Sequence, residues 1–263
     1  MQAYRGMDIG TAKPSGDLLS RLPHHLIDIK NPDEQYTAGE FVARADALCT
    51  RLSEQGILPI ISGGTGFYLK NYICGLPASP PSSPEIRAQV ALELERRGPA
   101  ALRAELEKAD PVAAARIHEH DFYRLTRAVE ILRASGEAPS RFAPSRTVRP
   151  GKRFLILGVT RPREVLRTRI HARVGAMMRA GLALEVEGLV SRGFCPDDPG
   201  MQAIGYREFF ESAGSPPETI AQAIELHTGQ YAKRQMTFFR ALPGLQWIEP
   251  EPEHLFRALV ALA

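Results

Sequence analysis

No apolar run in this chain reaches the length of a membrane span, and no signal peptide opens it; both point to a cytoplasmic protein without a spanning helix. Cysteine is scarce. Cys49, Cys74 and Cys195 lie far apart, odd in number and without CxxC or zinc spacing. That argues against a disulfide framework or a zinc site and leaves three reduced thiols, expected as small buried residues. Charge of one sign is also lacking: 33 Lys and Arg against 30 Asp and Glu leave a net +3, too little to mark a nucleic-acid binder. Such a claim must rest on where the arginines cluster. Internal repeats and low-complexity tracts are absent. What remains is 263 residues, 44% hydrophobic and 24% charged, the make-up of an ordinary globular protein with ample material for a core.

The stretch from Ile57 to Lys70, ILPIISGGTGFYLK, organises the reading. Ile57, Leu58, Ile60 and Ile61 predict a short strand buried on both faces, turning at Gly63-Gly64-Thr65-Gly66 into a helix over about 67–73. Ligands of open α/β sheets sit beyond the carboxyl ends of strands, glycine lets backbone approach them, and Thr65 has the turn's one hydroxyl. A plain strand-to-helix turn fits the same residues. No Walker lysine follows, and the dinucleotide spacing is missing.

Before this stretch, Leu26–Ile29 is a brief strand candidate and Phe41–Gln55 a helix ended by Gly56. After it, Pro77, Pro80, Pro81 and Pro84 with interspersed serines form a segment that no helix crosses. Only helices follow, over 84–97, 99–108, 111–117 and 121–135, until a second Pro-rich stretch at 136–151. Lys152–Thr160 returns to a buried strand. Pro162 suits the first helical position before the stripe Val165, Leu166, Ile170, Val174, Met177 and Met178. Gly181 breaks that helix and a shorter one continues. A turn-rich loop at 194–206, helices over 206–212 and 216–240, an edge strand at 245–248 and a terminal helix over 251–262 complete the chain. The alternation predicts an α/β protein with a parallel sheet, its core in 1–76 and 149–263, and a helical insertion over 77–148.

Two pairs of arginines fall at helical spacing, Arg124 with Arg127 and Arg169 with Arg173, and Lys233 sits beside Arg234 in the long helix. A solvated helix face accounts for any one pair. Arginine nevertheless captures phosphate bidentately, which singles out Arg173 beside its apolar stripe. His24 with His25, His118 with His120, and His171 lack metal-ligand company.

In order along the chain, MQAYRGMDIGTAKPS, PHHLIDI, GGTGFYLKNYICGLP, DPVAAARIHEHDFYRLTRAVEI, RIHARVGAMMRAGLALEVEGLVSRG, QAIGYREF and YAKRQMTFFR resemble the signatures of the tRNA dimethylallyltransferase (tRNA isopentenyltransferase) family. The resemblance covers essentially the whole chain. It implies a P-loop NTPase-like parallel sheet core with an inserted all-helical domain. It also implies transfer of a dimethylallyl group from dimethylallyl diphosphate to the exocyclic amine of the adenosine 3′ of the tRNA anticodon, with Mg2+. Partners would be the anticodon stem-loop and the donor, and the protein a monomer. By the same resemblance Met1 and Gln2 touch the target base. Thr65, Arg87, the run Tyr123, Arg124, Leu125, Thr126 and Arg127, and the run Gln202, Ala203, Ile204, Gly205, Tyr206 and Arg207 contact tRNA. Arg173, with Arg169 beside it, holds the diphosphate, and Arg173 and Thr65 are the catalytic candidates. No residue is implied as a metal ligand.

The chain departs from the pattern in places. The family's GxTxSGK[ST] loop and the first strand before it are missing, as is the aspartate expected two positions before Met1 to take the amine proton. Tyr123 stands where glutamine is usual, and Gly229 where arginine is usual. The expectation is a fragment, or a reading frame begun at an internal Met, of the transferase. A degenerate tRNA-binding paralogue without activity, or a small-molecule kinase of P-loop fold, are the alternatives.

Overall fold

The computed structural model describes residues 1–260, apart from the side chains of Leu255, Ala258 and Leu259. In chain order it runs α1 (Gly16–Arg21), α2 (Ala38–Glu54), α3 (Gly66–Cys74), α4 (Pro84–Ala109), α5 (Pro111–Arg116), α6 (Phe122–Ser135), β1 (Ile156–Val159), α7 (Arg163–Arg179), α8 (Leu182–Ser191), α9 (Arg207–Glu211), α10 (Pro217–Phe239), β2 (Leu245–Ile248) and α11 (Pro252–Val260). Local chemistry sets these bounds. Thr37 caps α2 by accepting the Glu40 amide at 3.1 Å, and Ser83, Asp110 and Asp121 cap α4, α5 and α6 in the same way. Gly56 and Gly136 carry φ values of 72° and 70°, which stop α2 and α6. Gly98, at φ 73° and ψ 172°, kinks α4 just before Pro99. Pro162 sits one place earlier than expected, at the N-cap of α7. None of the described helices is long and apolar enough to cross a membrane.

The chain forms two compact units, Met1–Tyr72 with Arg153–Ala263, and Ile73–Lys152. In the helical unit, Val90, Leu102 and Leu106 of α4 meet Leu125 and Val129 of α6 in a core closed by Ala114 of α5. Arg133 of α6 ties the two arms of kinked α4 together, holding Glu93 at 2.8 Å and Glu105 at 2.6 Å. In the other unit, Val174 and Met177 of α7, Leu182, Val186 and Leu189 of α8, and Ile220 and Ile224 of α10 pack with Met7, Met201 and Tyr206. A smaller cluster joins Val42 and Ala45 to Tyr72, with Phe154 against it.

The sheet is smaller than expected. β1 and β2 pair in parallel, Ile156 opposite Leu245 through Val159 opposite Ile248, and Gly158 leaves room for the Trp247 ring. The predicted buried strand at 57–61 is corrected. Among the described residues it pairs with nothing, and Ile57, Leu58 and Ile60 are 50%, 62% and 72% exposed. An apolar run becomes a strand only through a partner ladder, and the described residues supply none. Leu26–Ile29 is likewise a bend rather than a strand. Leu26 and Asp28 take left-handed φ values of 63° and 54°, leaving one parallel bridge between Tyr4 and Lys30. Cys195 is exposed, not buried as expected, whereas Cys74 is buried. The terminal helix is seen through Val260; residues 261 and 262 of the predicted span lie outside the described residues.

Candidate functional site

One face of α10 holds the Gly64 turn next to Thr65 and, through His227, Glu208 beneath the 202–207 loop. Ile220, Ile224, His227, Tyr231, Gln235 and Phe238 recur at steps of three or four, so they form one stripe. Its first half is apolar and buries against α7. Its second half is polar and holds loops. Tyr231 Oη and Gln235 Nε2 both donate to the Gly64 carbonyl, at 3.1 and 2.9 Å. A methyl group at Gly64 would strike the Gln235 amide, and one at Gly66 the Phe238 ring. The approach of α10 thus accounts for these two glycines, a reason the turn's sequence alone does not disclose. Thr65 is exposed at the tip, its carbonyl accepting the Tyr68 and Leu69 amides at 3.0 and 3.2 Å as α3 begins.

The N-terminal segment folds into a tight turn. Gln2 is half-buried and its Nε2 donates to the Thr11 and Ala12 carbonyls at 3.2 and 2.9 Å, while Met1 is exposed. Lys13 donates to the Tyr4 carbonyl at 2.9 Å and pairs with Asp8 and Asp28. Glu185, near the start of α8, accepts the Asp8, Ile9 and Gly10 amides at 2.9, 2.8 and 3.2 Å and the Tyr206 hydroxyl at 2.6 Å. Burial, and then this bond to Glu185, pushes the Tyr206 phenol far above its ordinary pKa.

In the loop 202–207 only Gln202 is exposed, its Nε2 donating to the Pro196 carbonyl. Ala203 and Tyr206 lie in the core and Ile204 packs against it. The Gly205 amide donates at 2.7 Å to Glu208, which is fully buried and also meets His227 Nδ1 at 2.7 Å and Arg207 Nε at 3.3 Å. The expectation that the whole run meets RNA is narrowed accordingly: the Ala203 and Tyr206 side chains face protein and support Gln202.

Arg169 and Arg173 project from α7 one turn apart, exposed, on the flank of the Ile170, Val174 and Met177 stripe. Neither forms an ion pair with a carboxylate among the described residues. His171, largely exposed, meets Glu225 of α10 at 2.9 Å.

The helical unit treats its arginines differently. Arg127 donates to Ser82, to Glu130 at 3.1 Å and to the Pro80 carbonyl at 3.4 Å. Arg87 donates twice to the Ser82 carbonyl, at 3.2 and 2.8 Å, though the residue is exposed. Both thus staple the Pro-rich segment to the helices. Leu125 is fully buried and Thr126 Oγ1 returns to the Tyr123 carbonyl at 3.0 Å. Leu125 is corrected to a core residue, leaving Tyr123, 81% exposed, and Arg124, paired with Asp121, as the outward members of the run.

The expected Mg2+ finds no ligand set at these positions, where guanidinium, amide and hydroxyl groups prevail. Among the described residues, the group able to gather three ligands is Glu249 and Glu251, after β2, with His254 in the first turn of α11, mostly exposed. The residues of the site do not fit the ion. Sequence reasoning missed Glu185, Glu208 and His227. The available signal was a carboxylate in an apolar context, as in LALEVEGL, which demands donors once buried.

With this geometry in place, comparison with known proteins is decisive. The IPP transferase family model matches residues 2–242. A tRNA dimethylallyltransferase of Geobacter sulfurreducens is 40% identical over 252 residues, covering 95% of this chain and 81% of the relative. One from Syntrophobacter fumaroxidans is 43% identical over 265 residues, covering 97% of this chain and 75% of the relative. The crystal structure of full-length tRNA isopentenylpyrophosphate transferase from Bacillus halodurans superposes with a TM-score of 0.67 at 33% identity, covering 99% of this chain and 84% of that one. The fold is that of the P-loop NTPase-like transferases. Within that class, the chain belongs to the IPP transferase family.

Proposed function

We propose that this chain is a tRNA dimethylallyltransferase, moving the dimethylallyl group of dimethylallyl diphosphate to N6 of the adenosine 3′ of the anticodon. The observation that carries the reading is the family match from residue 2 to 242, because it spans the loops that carry Gln2, Thr65 and Gln202. The adenine amine attacks the allylic carbon, a C–N bond forms as the C–O bond to diphosphate breaks, and the diphosphate leaves with the electron pair. Arg173, supported by Arg169, meets the growing negative charge, and uncommitted guanidinium groups suit that task. Thr65 offers its hydroxyl at the turn. Gln2 and Gln202, with Met1, read the extruded base by hydrogen bonds and contact. Tyr123, Arg124 and Arg87 meet the RNA backbone. The amine proton goes to a base that these residues do not include. The enzyme acts as a cytoplasmic monomer.

The test is incubation of anticodon stem-loop RNA with labelled dimethylallyl diphosphate, using this chain beside a version extended by the codons upstream of Met1. Label on the adenosine 3′ of the anticodon with either protein supports the reading. RNA left unlabelled by both overturns it.

A further inference from the structure

The carboxylate of Glu185 is saturated. Three successive amides, of Asp8, Ile9 and Gly10, converge on it within 3.2 Å, and the Tyr206 hydroxyl adds a fourth donor at 2.6 Å. Successive amides of this kind form an anion-binding concavity. Here the anion is internal and comes from α8. Tyr206 is entirely buried, and any side chain at Gly10 would overlap its ring. The same turn supplies the carbonyls that hold Gln2, and Tyr206 closes the loop that begins with Gln202. From the other side the Gly205 amide is fixed by Glu208. A continuous hydrogen-bonded path thus joins Gln2 to the Gln202 loop. An apolar pair could fill the same space, but it would not fix the two loops in one register.

We infer that Glu185 and Tyr206 are positioning residues that lock the Gln2 turn to the Gln202 loop and so hold two base-reading side chains in one geometry. The role rests on the tRNA reading proposed above, and it assigns to Tyr206 an action through Glu185 rather than contact with RNA.

The probe is an anticodon stem-loop in which 2-aminopurine replaces the adenosine 3′ of the anticodon, so that its fluorescence rises on extrusion. Tyr206→Phe keeps the buried ring and removes only the hydroxyl. In Tyr206→Phe, RNA affinity is expected to fall about tenfold, as for loss of a hydrogen bond to a charged group, and the signal at RNA saturation to shrink. Glu185→Gln should do the same, and the double variant should be no worse than Glu185→Gln alone. A merely structural role would lower the folded fraction without changing the saturated signal. A Tyr206→Phe protein that keeps affinity and signal, or two effects that simply multiply, overturns the positioning role. A wild-type protein that gives no rise, or prefers a scrambled hairpin, overturns the tRNA reading and the role with it. Amide exchange without RNA reads the lock separately: faster exchange at Asp8–Gly10 in Tyr206→Phe supports it, and unchanged exchange overturns it.

Discussion

Ala12 supplies one of the two carbonyls that hold Gln2, and it does so from a left-handed backbone at φ 49°. A β-carbon there costs about 1 kcal/mol relative to glycine. Ala12→Gly should therefore raise stability in urea by a few tenths to about 1 kcal/mol, less what glycine's extra freedom in the unfolded chain returns. An unchanged or lower midpoint would show the turn to be unstrained. At this scale the sequence singled out Gln2, Arg173 and Gln202; Arg173 and Gln202 are exposed, and Gln2 is half-buried with its amide held by its own turn. The sequence was misleading where the same residue types act inward. Arg127 reads as a phosphate ligand by type and spacing, yet its guanidinium is spent on Pro80, Ser82 and Glu130. Glu185 and Glu208 gave no motif at all, because their partners are backbone amides, which no letter code displays.

Among the elements, most helices were read to within one to three residues, since caps and glycine stops are local chemistry, but α1 (Gly16–Arg21) was not read as a helix and α2 starts at Ala38 rather than Phe41. Thr37 and Gly56 bound α2, and Asp121 and Gly136 bound α6, without help from distant chain. Strands failed at 57–61 because pairing is not local: the same apolar run is a strand or an exposed segment according to what lies beside it. The stripe of α10 was not read from the sequence, which marked Lys233 and Arg234 there, while Tyr231 and Gln235 in fact anchor Gly64. A contrast between two glycines follows. Gly66→Ala must displace the Phe238 ring and should cost about 1–3 kcal/mol. Gly64→Ala meets only the flexible end of Gln235 and should cost less. Equal unfolding midpoints for the two variants would remove α10 as the reason for these glycines.

For the whole molecule, two units with separate cores imply separable stabilities. Asp110, in the helical unit, gives this a pH signature. Burial pushes its carboxyl upward, but the Ala113 and Ser140 amides, donating at 2.9 and 2.6 Å, outweigh burial and hold it below the ordinary range. A depressed folded value means the stabilisation is complete above the unfolded pKa of about 4 and is lost as pH falls through the folded value. Acid titration followed by far-UV circular dichroism should therefore show the helical unit weakening below about pH 4, with a shallower slope in Asp110→Asn. An identical slope in the variant would remove Asp110 from the acid response.

The account turns on an exposed, uncommitted Arg173 meeting the diphosphate of an allylic donor while Gln2 and Gln202 present the base. The most direct measurement is label transfer to stem-loop RNA, titrated with dimethylallyl diphosphate, in the active protein of the labelling test and its Arg173→Gln variant. The predicted result is a donor KM raised about 10- to 100-fold with the stem-loop KM unchanged, as expected for loss of a charge-assisted bidentate contact. A donor KM and turnover equal to those of the parent enzyme would contradict it.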